Sequence, residues 1–232
     1  RPTSSQHDQF SCRLGGEEIT ESPEEKILGV IVDNELKWSS HVQKLKNECN
    51  YHLSILRRIR RVLSANQTKM IANGMIMSRI RYCLAIHGAE QLRVTQDDKL
   101  TGVCHQMQLI QNEMLRIIFN HKKCDRVKIT DMLESADMLS VNQLIGYSIL
   151  MEAWKSKNFE IPHLSDLLKY ERNDDRILRS NSTNSATSSV IEPFASCARK
   201  LWNLATPRFR TTNLVTVAKI ESRKLANSLP VM

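Results

Sequence analysis

A chain of 232 residues is long enough to bury a core in one or two domains. It has no apolar run that could cross a bilayer and no signal-peptide core near its start, so the sequence predicts a soluble protein with no membrane partner. A formal net charge of +8 points to a polyanionic partner, and an aromatic content of 5% is too low for a base-stacking surface; RNA or DNA would be held by its backbone.

The first residues, RPTSSQHD, contain no initiator methionine, which suggests a fragment or a processed chain. Phe10 to Leu14 and Glu17 to Thr20 flank Gly15-Gly16, a pair suited to a two-residue hairpin turn. Lys26 to Asp33 is an apolar, β-branched run between Pro23 and Asp33-Asn34, and reads as a third strand able to join that hairpin.

A long basic helix is expected from near Ser39 to Leu63. Val42, Leu45, Cys49, Leu53, Leu56, Ile59 and Leu63 recur at three- and four-residue intervals and form one core-facing stripe. Arg57, Arg58 and Arg61 project away from the stripe, Arg60 lies at its edge, and Lys44 and Lys46 precede them. A solvated helix face is the plain reading of such a cluster; contact with nucleic acid is the functional one. Arg79, Arg81 and Arg116 could extend the surface, with orientations the sequence leaves open.

Ser64 and Gln67 form a capping box for a second helix reaching about Ile86. Thr95 and Asp98 open a third, to Phe119, whose regular stripe suits an antiparallel bundle. A short helix follows at Ile129 to Glu134, then a longer one at Val141 to Lys157 behind a Ser140–Gln143 capping box. Pro162 opens a brief helix to Tyr170, and the polar composition of 171–189 predicts a flexible loop. Phe194 to Leu204 and Leu214 to Asn227 complete the helices, with Trp202 expected to pack back on the bundle. The fold class is therefore α+β, mostly α: a small N-terminal antiparallel hairpin or three-stranded sheet followed by a helical bundle.

Several of these residues carry a resemblance. Leu28-Gly29-Val30 with Asp33, then Leu36-x-Trp38-x-x-His41, then a helix ending in LRRIRRVL, stand in an order that resembles the end of the reverse transcriptase region of jockey-like non-LTR retrotransposons. Ser78-x-Ile80-x-Tyr82, Leu115-Arg116-Ile117-Ile118-Phe119 and Leu201-Trp202-Asn203 follow in register, so the likeness spans Phe10 to Asn203. It departs where the family has Tyr-Gly and then Trp-Gly: here Cys83 follows Tyr82, and His87 precedes Gly88. The resemblance implies a palm-end hairpin remnant over 1–37, a thumb-like bundle over 38–120 and a helical connection region over 121–232. It also implies a template–primer held by Arg57, Arg58, Arg60, Arg61, Lys44 and Lys46, the upstream polymerase region as a further partner, and nuclear residence, for which the sequence holds no signal.

Polymerase chemistry is not expected of this chain alone. Two divalent metals, Mg2+ in the parent enzyme, need carboxylates that in the family lie before the Leu-Gly strand. Asp97-Asp98 reads as first-turn helix acids and Asp174-Asp175 as loop, so neither is a catalytic pair, and Asp33 reads as structural. His41 has no nucleophile beside it and reads as a cap or packing residue. The six scattered cysteines predict reduced thiols in an intracellular protein, and Cys104-His105 with His121-x-x-Cys124 matches no zinc module, so no metal or other cofactor is expected here. Two readings remain: a C-terminal reverse transcriptase fragment that binds nucleic acid, or a non-enzymatic helical module for protein contacts derived from such an element.

Overall fold

The computed structural model describes residues 11–92, 94, 102–159, 161 and 191–231. Two antiparallel hairpins lead the chain: β1 (Ser11–Leu14) with β2 (Glu17–Thr20), and β3 (Glu24–Ile27) with β4 (Val30–Asp33). Gly15 and Gly16 both take positive φ, as the tight turn between twisted strands requires.

The single strand expected over Lys26–Asp33 is corrected. Leu28 and Gly29, at φ 48 and 90, fold that run back on itself, so two separate two-stranded sheets replace one sheet of three. Every residue of β1, β2 and β3 is exposed; β4 buries Val30 against the helices, and Glu24 of β3 accepts from the Ser40 hydroxyl at the start of α1.

The first long helix, α1 (Ser39–Ile59), buries the expected stripe of Val42, Leu45, Cys49, Leu53 and Leu56. It stops at Ile59 rather than Leu63. Its N-cap, Trp38, has φ 61 and makes no side-chain cap bond. Asp33 holds that entry instead, its carboxylate accepting from the backbone N–H of Lys37 at 2.9 Å and of Trp38 at 2.8 Å.

The Ser64–Gln67 capping box is present at the start of α2 (Ala65–Ala72), which runs through a π-helical turn (Asn73–Met77) into α3 (Ser78–Arg81). Continuity to Ile86 is lost: Tyr82 is extended and Cys83 has φ 53, so a separate α4 (Leu84–His87) and a 3-10 turn (Ala89–Gln91) follow. α5 (Gly102–Phe119) packs on α1 and runs in the same direction rather than antiparallel to it, since Arg57 and Arg60 near the end of α1 meet Glu113, Ile117 and Ile118 near the end of α5; its expected opening at Thr95 and Asp98 lies outside the described residues.

α6 (Ile129–Ser135) leads to α7 (Val141–Asn158), whose Ser140–Gln143 capping box is also present. The Pro162–Tyr170 helix and the 171–189 loop lie outside the described residues. α8 (Ile191–Leu204), a short α9 (Pro207–Thr211) and α10 (Val215–Ser228) close the chain's fold, which is mostly α within the α+β class.

One apolar core runs from Val30 to Leu229 and crosses both 37/38 and 120/121. Its axis is α7, which packs against α4, α5, α8 and α10. Buried Trp154 donates its indole N–H to the Thr212 carbonyl at 2.9 Å, and buried Trp202 meets Phe209 edge-on with ring centroids 5.4 Å apart. In the first turn of α7, the buried amides of Asn142 and Gln143 donate to the carbonyls of Pro230 at 3.1 Å and Leu229 at 3.2 Å. No helix among the described residues is long and apolar enough to cross a membrane.

Candidate nucleic-acid interface

The C-terminal end of α1 gathers the arginines, where a positive charge also complements the helix dipole. Arg58 and Arg61 are exposed and have no carboxylate partner among the described residues. Arg57 is about half exposed and donates from Nη2 to Glu113 on α5 at 2.8 Å. Glu113 is shared, since Lys123 Nζ stands 3.9 Å from its other oxygen. One carboxylate thus faces two cations, and local charge stays positive.

Arg60 is held differently from its neighbours. Its Nε donates to the carbonyls of Ile117 at 3.2 Å and Ile118 at 3.1 Å, and Nη1 donates to Leu63 at 2.7 Å. These carbonyls include the open end of α5, whose last acceptors have no intrahelical donor. A guanidinium at the edge of the stripe is therefore turned to the protein, and the outward arginine surface is Arg57, Arg58 and Arg61.

The two lysines also separate. A two-residue step rotates a helix by about 200°, which puts Lys44 and Lys46 on opposite flanks of α1. Lys46 lines a groove of about 260 Å³ between α1 and α5 together with Asn50, Arg57, Gln106 and Lys123. Lys44 lines a depression of about 290 Å³ near Glu48 and Arg79, which are themselves 3.5 Å apart as an ion pair. Lys123 and Glu113 belong to the arginine surface and were missed in sequence: Arg57 and Glu113 stand 56 residues apart, and nothing local announces their meeting.

The residues that carry the resemblance meet at one junction. The Tyr82 hydroxyl donates to the Leu28 carbonyl at 2.6 Å, the Ile31 N–H points to His41 Nδ1 at 3.5 Å, and the His41 and His87 rings stand edge-to-face at 5.2 Å. Burial works against a charge on Asp33, yet the N–H groups of Lys37 and Trp38 outweigh it and hold the carboxyl below its usual range. Burial first, and then the charge of Lys44, pushes His41 down. His87 is pushed down to about 4 by burial and by His41, against the Tyr82 carbonyl that its Nε2 faces at 3.3 Å. Both rings are therefore neutral packing groups at neutral pH.

All six cysteines are free thiols. Burial pushes Cys49 up to about 11 and Cys104 up to about 12, which makes them inert core groups. Among the described residues, no three of His, Cys, Asp and Glu come together in a way that could hold a metal ion, and Cys104 is buried while Cys124 is exposed. Asp97-Asp98 and Asp174-Asp175 lie outside the described residues. Compared with known proteins, the chain matches no family model, no curated protein and no solved structure.

Proposed function

We propose that this chain is the C-terminal portion of a jockey-like retroelement reverse transcriptase, and that it grips template–primer nucleic acid by its backbone through the end of α1. The observation that carries the proposal is the outward pair Arg58 and Arg61, which have no carboxylate partner among the described residues, flanked by Arg57, Lys46 and Lys123 around Glu113. Guanidinium groups at the end of α1 and in the turn that follows it suit phosphate contact, which positions a duplex without reading its sequence. Further support comes from the motif residues, which are spread over more than fifty positions in sequence and yet make direct contacts at the hairpin-to-helix junction. Nucleotide addition and its Mg2+ are assigned to carboxylates of an upstream region, not to this chain.

The test is binding of an RNA–DNA hybrid across a salt series. Affinity should fall steeply with salt, and replacing Arg57, Arg58 and Arg61 together by Ala should make the log–log slope shallower by about 2 to 3. A slope near zero, or a triple variant identical to the parent, overturns backbone binding.

A second reading, a helical module for protein contacts, is favoured by the apolar side chains on the hairpins: Leu14 is 71% and Leu28 86% exposed. Capture of a protein partner that survives nuclease and high salt would select that reading over the first.

A further inference from the structure

Helix α7 is buried around most of its circumference, and a half-buried stripe of it forms the floor of a trough lined by none of the clustered arginines Arg57 to Arg61. Leu144, Tyr147, Ser148, Met151, Glu152 and Lys155 recur at three- and four-residue steps along that floor. Two cavities, of about 630 and 590 Å³, lie end to end there and share Arg81, Tyr147, Ser148 and Lys219. From Leu144 to Lys155 the floor runs about 16 Å, or three helical turns. One lip is α4 and the other α10, where Ile86 and Ile220 stand 46% and 56% exposed.

The charges along this trough are unbalanced in one direction. Lys155 pairs with Glu152 at one end and Arg223 with Asp137 at the other, both at 2.6 Å. In the middle, Arg81 and Lys219 have no carboxylate partner among the described residues. Burial by the surrounding walls, and then the charge of Arg223, pushes Arg81 down from its ordinary value against the favourable influence of Tyr147. A guanidinium stays charged regardless, so the exposed Arg81 presents to the trough a positive charge with no carboxylate partner among the described residues.

We infer that the trough between α4, α7 and α10 docks an acidic amphipathic helix of about three turns from a protein partner, with apolar side chains on Met151, Ile86 and Ile220 and carboxylates on Arg81 and Lys219. Its length exceeds what a compact small ligand fills. The apolar walls and the acids Glu152 and Asp137 disfavour a nucleic-acid backbone. A concave trough likewise does not fit a flat lipid surface.

The test uses the whole chain and a labelled synthetic peptide of about four turns, with Leu at one helical stripe and Glu on its flanks. Fluorescence anisotropy should detect binding of this peptide, and its counterpart with Lys in place of Glu should bind at least about tenfold more weakly. Arg81→Glu combined with Lys219→Glu should weaken the Glu peptide by a similar factor and reverse the preference. Arg58→Ala with Arg61→Ala should leave it unchanged, so this surface is tested separately from the arginine cluster. No binding, equal binding of the two peptides, or displacement of the Glu peptide by a short duplex overturns the inference. The comparison of peptides on the unaltered chain stands whether or not the charge-reversed variant folds.

Discussion

Four arginines within five positions, Arg57 to Arg61, do two different jobs. Arg60 closes three backbone carbonyls, whereas Arg58 and Arg61 touch no acid among the described residues. Arg60→Ala should therefore cost about 1–3 kcal/mol, since it takes a charged donor from the Ile118 and Leu63 carbonyls while Ile117 keeps the Asn120 N–H, and Arg58→Ala and Arg61→Ala should each stay within about 0.5 kcal/mol. Urea midpoints of the three single variants check this; equal midpoints would contradict the division. The helical period placed Arg60 at the stripe's edge, but a period gives direction around the axis and not the reach of a long, flexible side chain. Binding measured on Arg60→Ala consequently reads folding and contact together, and the clean probes of the surface are its two neighbours.

At the scale of elements, the sequence was most legible where the signal was local. Ser64–Gln67 and Ser140–Gln143 each close within four residues, and both capping boxes stand as expected. Breaks were less legible. Leu28 and Cys83 take positive φ, a conformation that bulky L-residues carry at a cost and that has no composition signature. What offsets it at Leu28 is tertiary: the Tyr82 hydroxyl on the Leu28 carbonyl and the burial of Val30. The break at Cys83 sends α4 against α7 at close range. A Cβ on Gly88 would lie 2.7 Å from the Leu84 carbonyl oxygen and 2.9 Å from Ile145 Cγ1. Gly88→Ala should then destabilise the chain by about 1–3 kcal/mol through overpacking, visible as a lower thermal midpoint. An unchanged midpoint would show that the α4–α7 contact can widen freely.

For the molecule as a whole, the His41–His87 pair ties the hairpin junction to pH. His87 titrates at about 4 when folded, against 6.5 for an ordinary histidine. Between those values the unfolded chain binds the proton that the folded chain refuses, so stability is full above the ordinary value and falls as pH drops through that window. Going from about pH 7.5 to about pH 5 should cost roughly 2 kcal/mol through this one ring. His87→Leu should flatten that part of the profile in denaturant titrations, and an unaltered profile would exclude His87 as its source. The arginine cluster was legible in sequence as charge and position, but its single carboxylate and Lys123 come from α5 and the turn after it, and only packing brings them together.

The amides of Asn142 and Gln143 also bear on how the polypeptide is made. Their acceptors, on Leu229 and Pro230, lie more than eighty residues downstream. Until residues 229 and 230 are made, these two amides lack their native acceptors there, and any turn formed at the start of α7 must leave them to water. The bundle's central rod thus stays provisional until translation delivers residues 229 and 230, which makes this a body that matures late rather than piece by piece.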